Sequence, residues 1–539
     1  MVDELMGLGD VNRKSESRWT VPDSWVWTKL SALGDIVAGG TPSTKVPTYW
    51  ADEIAWISPA DLTGYSAKTI VRGAKSISRI GLENSSAKVM PAGSVHFSTR
   101  APIGHVVIST EPIATNQGFK SLVPAPGIFN DYVYYYLMAS RDYARERGSG
   151  TTFLELSGSA FGELPVPLAP TATQHKVVAK IEELFSELDK GIESLKTARA
   201  KLDVYRQAVL KHAFEGKLTA QWREENKDKL ETPEQLLVRI KQEREARYEQ
   251  QLQEWKDAVK KWEEGGKSGK KPAKPKKVNE LPPLTESEAA ELPRVSESWG
   301  WVRLGNLDVD ISDGPFGSNL KGSDYVGNGI RVIRLENIGD LEFHNEKASY
   351  ITLKKYKTIS KHTVTAGDVI VSSFVANGTR AVVLPDYIVR AVNKADCFCI
   401  RCYGENLINS CIAMFLVTRC ASRQLGTQVH GATRPRINTT QLKKCAVPLI
   451  SRNEQEQMVS ELEEKLTLIA QLETEIEANL QKVATLRSCV LRKAFSGQLV
   501  PQDLDDEPAS ILLERIKAEK TARSQNSSRT RRRHEKATA

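Results

Sequence analysis

The sequence predicts an α+β protein in which two globular α/β domains form a pseudo-twofold repeat, separated by an antiparallel pair of long coiled-coil helices. Three observations carry this: the second half repeats the first, each half opens on β-rich runs broken by turns, and each closes on a heptad stripe. Ser24-Trp25-Val26-Trp27, with Leu30 after it, returns 274 positions later as Ser298-Trp299-Gly300-Trp301, with Leu304 after it. Ala92-Gly93, Val95 and Gly104 return at that offset as Ala366-Gly367, Val369 and Gly378. Further on the offset is 281: Val166-Pro167-Leu168 matches Val447-Pro448-Leu449, and Leu210 to Leu218 matches Leu491 to Leu499. A duplicated chain can present two similar surfaces about a pseudo-twofold axis, as a symmetric dimer does.

The globular parts come first in each half. Residues 24–170 carry short β-rich runs, Val89 to Phe97 and His105 to Ser109, separated by Gly, Pro and Ser turns. Asp131 to Arg147 reads as one helix. From Thr171 to Phe214 there is no proline, and Ile181, Leu188, Leu195, Leu202 and Val209 recur every seven residues, with Leu184, Ala198 and Tyr205 at intermediate sites. The second copy has Leu462, Ile469, Ile476, Val483 and Val490 at the same spacing, with Leu472 and Leu486 between. Such sustained heptads specify a coiled coil. About 40 residues at 1.5 Å each make a helix of ~60 Å, and its apolar stripe needs a partner, which the other copy supplies.

Each long helix ends at Ala-Phe-x-Gly-x-Leu, where Gly216 and Gly497 suit a C-cap. Beyond each turn a proline opens another helix, at Pro233 and Pro508. The first runs on to Trp262 and meets Gly265-Gly266 and a Lys/Pro/Gly tract, expected to be a flexible linker. The resulting division is an N-terminal extension (1–23), a first globular domain (24–170), a helical spacer (171–240), a charged helix and linker (241–297), a second globular domain (298–450), a second spacer (451–517) and a basic disordered tail (518–539).

At 539 residues with 40% hydrophobic content the chain has ample core material. No apolar run reaches the ~18 residues that span a bilayer, and Met1 to Trp19 lacks a signal-peptide core, so a cytoplasmic location is expected. The net charge of +8 is concentrated. Residues 265–277 carry six lysines and no acid, and residues 517–539 carry eight basic and two acidic residues, leaving the rest near −4. Global charge therefore does not establish nucleic-acid binding. Locally, 298–450 is better supplied, with 19 basic and 12 acidic residues against 12 and 11 in 24–170.

No catalytic constellation is legible. Gly266-Lys267-Ser268 resembles the end of a phosphate-binding loop, but the loop's first glycine position is Lys261 and no strand precedes it. There is no Gly-x-Gly-x-x-Gly after a strand, no Asn-Pro-Pro-Tyr motif and no His-Glu-x-x-His pair. All seven cysteines lie beyond position 396, and the run Cys397 to Cys402, with Cys397 and Cys399 at alternate positions, reads as a strand rather than a zinc site. The chain is expected to be non-catalytic, with no metal site.

The segment Arg206-Gln207-Ala208-Val209-Leu210-Lys211-His212-Ala213-Phe214-Glu215-Gly216-Lys217-Leu218-Thr219-Ala220-Gln221-Trp222-Arg223 resembles the central region of specificity subunits of type I restriction-modification enzymes. Asp313-Gly314-Pro315-Phe316-Gly317-Ser318, then Ile333-Arg334-Leu335-Glu336-Asn337-Ile338, resembles the opening of their target-recognition domains, and Pro508 to Ile516 their C-terminal segment. The resemblance spans about Ser24 to Lys517. It implies a subunit without an active site, whose two recognition domains each read half of a bipartite, asymmetric DNA site. The helices would set the spacer and dock two methylase subunits that carry S-adenosylmethionine and modify adenines. Two restriction subunits, working with ATP and Mg, would complete the endonuclease. The long charged insert between Lys241 and Pro293 departs from shorter members.

The expected DNA contacts are polar residues beside Gly or Thr. In the first domain these are Arg100, His105, Asn116, Gln117 and Lys120; in the second they are Asn319, Lys321, Arg334, Asn337, Asn377, Arg380, Asn393, Lys394, Arg434 and Arg436. Small neighbours allow close backbone approach. The implied methylase-docking residues are Phe214, Gly216, Leu218, Phe495, Gly497 and Leu499. The four domain-opening tryptophans, Trp25, Trp27, Trp299 and Trp301, are expected to pack. A stand-alone bipartite DNA-binding regulator and a coiled-coil scaffold remain as alternatives; salt-dependent DNA affinity separates the last from the others.

Overall fold

The computed structural model describes residues 19–100, 102–150, 154–277, 279–317, 319–376, 378–426, 435–503 and 505–522. It divides into two compact units: Met1–Lys196 with Glu477–Ala539, and Thr197–Ile476. The boundaries fall inside the two longest helices, α1 (Thr171–Phe214) and α3 (Arg452–Phe495). The expected spacers are thus not separate bodies; each helix contributes one part to each unit.

In the first unit, strand Val26–Lys29 pairs antiparallel with Pro165–Leu168, placing Trp27 opposite Pro167. A five-stranded sheet runs in the order Gly34–Ala38, Phe119–Pro124, Val95–Thr99, Ile103–Ser109, Thr69–Ile70. A three-stranded sheet orders Lys75–Ile77, Ile54–Ile57 and Ala114–Thr115, the last two parallel. The segment expected as one helix over 131–147 is two, Asn130–Ala139 and Arg141–Glu146. The break is at buried Ser140, whose N–H is shared between the Tyr136 and Leu137 carbonyls, the tightened bonding that ends a helix. Of the run expected from Val89, Met90 forms an isolated bridge to Ile113, residues 92–93 turn with Gly93 at φ +83°, and the strand begins at Val95.

The second unit is built alike. Strand Gly300–Arg303 pairs antiparallel with Ala446–Leu449, placing Trp301 opposite Pro448. A four-stranded sheet follows the order Val309–Ser312, Cys397–Cys402, Val369–Ser372, Ala381–Val383. A second sheet has Ile330–Ile333 parallel to Ala391–Asn393. The register of the opening pair, Gly300 opposite Leu449, reproduces Val26 opposite Leu168 at the sequence offsets of 274 and 281. Cys397 and Cys399 pack in an apolar cluster with Ile333, Ile370 and Val382; burial pushes the Cys397 thiol up to about 12.

Each unit completes its core with helix ends from both copies. In the first, Val177, Val178 and Ile181 share a cluster with Val490, Leu491, Ala494 and Phe495. Phe495 lies 5.1 Å from the Tyr132 ring and 5.2 Å from Tyr136. In the second, Val209, Leu210, Ala213 and Phe214 cluster with Met458, Val459 and Leu462, and Phe214 meets Phe415 at 5.3 Å. The helix segments are antiparallel within each unit. Arg487 pairs with Asp189 while Asp503, beyond the helix end, reaches back to Lys176 at 3.0 Å. In the other unit Arg206 meets Glu473 at 2.8 Å, and the later Thr219 bonds the earlier Glu454 at 2.7 Å. Arg206 and Arg487 are themselves a matched pair at offset 281.

Ile181, Val209, Leu462, Ile469, Ile476 and Val490 are buried, and Leu188, Leu195, Leu202 and Val483 are half-buried. Two intermediate positions are corrected. Tyr205 is 52% exposed and Leu472 39% exposed, and their neighbours Arg206 and Glu473 turn inward instead. A 3.6-residue helix drifts about 20° per heptad from a strict seven-residue repeat, which shifts the inward position by one. Gly216 and Gly497, at φ +75° and +73°, close Schellman turns: Lys217 N–H reaches His212 O at 3.0 Å, and Gln498 N–H reaches Lys493 O at 2.9 Å.

Helix α2 (Pro233–Glu264) opens on a Thr232–Gln235 capping box and buries Leu236 and Ile240. Its counterpart, helical over 509–522, buries Ala509, Leu512, Leu513 and Ile516. Two termini-related expectations change. Trp19 of the extension packs on Trp27 at 6.2 Å, and Lys520, assigned to the tail, donates to the Ser31 and Gly34 carbonyls at 2.7 Å. The rest of both segments, 1–18 and 523–539, lies outside the described residues. The 265–297 linker is also anchored: Asn306 bonds the Leu281 backbone in both directions, and Arg303 binds Pro282 O at 2.8 Å and Glu288 at 2.7 Å.

Phe495→Ala should cost about 3–5 kcal/mol, the usual penalty for emptying a buried aromatic site. Leu472→Ala and Tyr205→Ala should stay within about 0.5 kcal/mol, as exposed substitutions do. Denaturant unfolding of the three variants checks this, and a larger loss at Leu472 would restore the strict heptad register.

Candidate nucleic-acid interface

In each unit two parallel strands end side by side and the chain crosses over them on a glycine. In the first unit Asn116 N–H donates to Ile57 O at 2.9 Å, and in the second Lys394 N–H donates to Ile333 O at 2.9 Å. Gly39 lies so close that a Cβ there would sit 1.9 Å from Asn116 O; at Gly314 it would sit 2.3 Å from Asn393 O. Only glycine fits either crossing. Beside it, the central sheet contributes a second matched element. Isolated bridges join Arg100 to Glu155 and Phe374 to Arg436. Their members correspond at offsets 274 and 281, and the adjoining bonds match too: Leu156 N–H to Thr99 O and Ile437 N–H to Ser373 O, both 2.9 Å. One backbone frame therefore occurs twice and carries different side chains.

In the first unit, Arg100 and Lys120 flank Glu155 at 3.9 and 4.0 Å. Lys120 also donates to Gln117 O at 3.2 Å, and Thr41 bonds the Gln117 side chain. Burial lowers the Lys120 pKa, Glu155 opposes this and Arg100 adds to it. Asn116 uses its Oδ1 on Gly118 N–H at 2.7 Å, shaping the turn that exposes Gln117. Arg100, Asn116, Gln117 and Lys120 thus come together. His105 does not: it lies on strand Ile103–Ser109, where burial and the Arg141 charge hold its pKa below the ordinary value.

In the second unit, the Arg436 guanidinium stacks 4.4 Å from the Phe374 ring centre and lies 3.7 Å from Asp396. Arg334, at the end of its strand, stands over Tyr325 and reaches Glu336 at 3.3 Å. Lys394 sits between these groups in sequence and fold. Asn319 and Lys321 are exposed on the turn that follows Phe316, itself exposed. Three of the expected contacts serve structure instead. Asn337 is fully buried and donates to His344 O and Lys347 O at 2.8 and 3.2 Å. Asn393 is fully buried and donates to Cys397 O at 2.5 Å. Arg380 donates to Ile338 O at 3.0 Å. Asn377 and Arg434, with Ser318, lie outside the described residues.

Sequence reasoning missed Thr41, Glu155, Phe374 and Asp396. The offset of 281 would have found Glu155, since it aligns with Arg436. The implied docking residues Phe214 and Phe495 are core, as described above. Leu218 and Leu499 are partly buried against the same clusters, and the surfaces of the two turns belong to Lys217 and Gln498.

Residues 22–197 match the model of a family described as type I restriction modification DNA specificity domain. The chain is 33% identical over 196 residues to the type I restriction enzyme MjaIX specificity subunit of Methanocaldococcus jannaschii, covering 36% of this chain and 44% of that one. It is 29% identical over 174 residues to the HindI specificity subunit of Haemophilus influenzae, covering 31% and 37%. The chain thus spans less than half the length of these two relatives. A longer, more distant match, 24% over 428 residues, covers 77% of this chain and 77% of the Escherichia coli EcoBI specificity subunit. A solved structure from work on complex assembly and conformational transition of the type I R-M system shares the fold, with a TM-score of 0.59 and 17% identity over 89% of this chain and all of that one. The site is a duplicated backbone frame that carries different side chains in the two units. The match to that family's model is confined to the first globular domain and the start of the helix that leaves it.

Asn337→Ala should destabilise the second unit by about 1–3 kcal/mol, because two buried carbonyls lose their donor. Arg436→Ala should cost no more than about 1 kcal/mol, the worth of an exposed cation–π contact. Thermal melts of both variants distinguish the structural residue from the candidate contact.

Proposed function

We propose that this chain is the DNA sequence-specificity subunit of a type I restriction-modification system and has no active site of its own. Each unit reads one half of a bipartite, asymmetric site. The observation that carries this reading is the duplicated frame with unlike side chains: an Arg–Glu pair in one unit occupies the place of a Phe–Arg pair in the other. Equal frames with unequal chemistry suit two readers of different sequences. Phosphate contacts would set register, and base-edge contacts in the groove would select sequence.

Two methylase subunits dock beside the helices and bring S-adenosylmethionine; an adenine in each half-site is flipped out of the stack for modification. Two restriction subunits, with ATP and Mg, complete the nuclease. The long helices act as the spacer, since ~60 Å of helix covers one to two duplex turns of ~34–36 Å. No helix among the described residues is long and apolar enough to cross a membrane.

Co-expression with the neighbouring methylase, followed by genome-wide mapping of methylated adenines, tests the function. The expected result is a single two-part motif with adenines modified in both parts. A methylome without a gapped motif, alongside tight operator binding by the chain alone, would establish the regulator instead. Exchanging residues 298–450 for another recognition domain should change one half-site only. Inserting a heptad in 171–213, matched in 452–494, should lengthen the unread gap and leave both read elements intact, as judged by the same mapping.

A further inference from the structure

The charged insert has an internal order that neither the DNA-reading frame nor the long helices use. Helix α2 presents Tyr248, Trp255 and Trp262 at seven-residue spacing, two helical turns apart and hence on one face. The chain then turns at Gly265-Gly266 and runs back along that face. Trp262 Nε1–H donates to Gly269 O at 3.1 Å, and Trp255 Nε1–H donates to Pro272 O at 3.0 Å. Three lysines at three-residue spacing meet the three rings: Lys271 over Trp262 at 5.9 Å, Lys274 over Trp255 at 5.8 Å and Lys277 over Tyr248 at 5.7 Å. The periods agree for a physical reason. Seven helical residues advance ~10.5 Å, and three residues of a Pro-rich extended strand advance ~9.3 Å. Pro272 and Pro275 keep that strand extended, so each lysine reaches the next ring in turn.

The result is a ladder rather than a loose linker, and its outer side is cationic. Between Trp255 and Lys277 stand nine lysines and three acids, and all nine lysines are exposed. Lys277 pairs with Glu245, and Lys260 approaches Glu264. Among the described residues no carboxylate pairs with Lys256, Lys261, Lys267, Lys270, Lys271, Lys274 or Lys276. The proximal part of α2 is fixed to the body of its unit. Arg244 donates to Asn306 O at 2.8 Å, and Arg247 binds Asp308 and stacks 3.8 Å from Tyr403. The lysines are thereby carried on a rigid base, while the chain outside the two basic segments is net acidic. Stacking on an aromatic face leaves an ammonium its charge and its N–H donors, so the ladder costs the cluster none of its attraction for anions.

We infer that this ladder is a sequence-independent contact for the phosphate backbone of duplex DNA, lying outside the read half-sites. The inference rests on the DNA-specificity reading for the choice of polyanion. Lysines spaced ~9 Å apart along a straight element, unpaired except for Lys277, suit a linear array of phosphates, whose counterions they release on binding. Such a contact would hold the subunit on DNA during the search for its site and beyond the edge of the motif.

The test uses the full-length chain and a ~30-bp duplex lacking the mapped motif, with affinity measured by fluorescence anisotropy across a potassium chloride series. K267Q/K270Q/K274Q/K276Q should flatten the slope of log affinity against log salt by ~2–4, at ~0.9 per lost phosphate contact, and weaken binding at least tenfold at low salt. The matching Lys→Arg variant should keep the wild-type slope. W255L/W262L, which removes the rings and keeps every charge, should fall between the two. An unchanged slope in the Lys→Gln variant overturns the inference, and so does loss of binding to partner subunits with DNA affinity intact, which would mark an acidic protein surface as the ligand. The specificity reading fails separately. If the wild-type chain directs no methylation to a gapped motif, that reading falls, while the salt slopes still decide the ladder.

Discussion

The constraint on which the rest of the structure depends is that neither unit can finish its core with its own copy alone. The helix leaving the first globular domain ends with Val209, Leu210, Ala213 and Phe214 inside the second unit, and the helix leaving the second ends with Val490, Leu491, Ala494 and Phe495 inside the first. The reciprocal exchange explains why the repeated residues are so similar there. Phe214 and Phe495 each fill a slot beside an aromatic helix, Phe415 in one unit and Tyr132 and Tyr136 in the other. The Ala and Gly around them permit the close approach and the turn that follows. A buried glutamine repeats the economy. Gln174 and Gln455 each satisfy otherwise unpaired backbone groups at the start of a long helix, donating to Ala169 O and Ile450 O at 2.9 and 2.8 Å.

Against that shared scaffold, the two units carry different side chains where the strands end. The glycine crossings at Gly39 and Gly314 and the bridges at Arg100–Glu155 and Phe374–Arg436 keep their backbone bonds while their side chains diverge. Backbone hydrogen bonds do not depend on the side chain that sits above them, so the frame tolerates substitution without loss of fold. A protein that must keep its architecture and change what it contacts is well served by such a separation.

Electrostatics is distributed in the same local manner. At the strand-end sites Arg100 and Lys120 face Glu155, Arg334 faces Glu336 and Arg436 faces Asp396, which holds these side chains in place and leaves them attractive to a stronger anion. The lysine ladder of the insert has little such balance. The two kinds of basic surface therefore differ in physical character: one is preorganised and nearly neutral, the other is strongly cationic and ordered by aromatic rings rather than by acids.

Much of this was legible in the chain. The heptads at Ile181 to Val209 and Leu462 to Val490, the two C-capping glycines and the offsets of 274 and 281 determined the long helices, their ends and the duplication, because helical periodicity and left-handed turns leave residue-level signatures. Polarity beside small residues was a poorer guide. It singled out Asn337 and Asn393, which spend their amides on buried carbonyls, and it passed over Phe374 and Glu155. Which polar side chain is free and which is consumed depends on backbone groups distant in sequence, and only the folded chain brings those together. The same holds for the lysine tract. Its composition reads as a solvated linker, and the match between a seven-residue helical period and a three-residue extended period turns it into an ordered surface only when the two segments lie side by side.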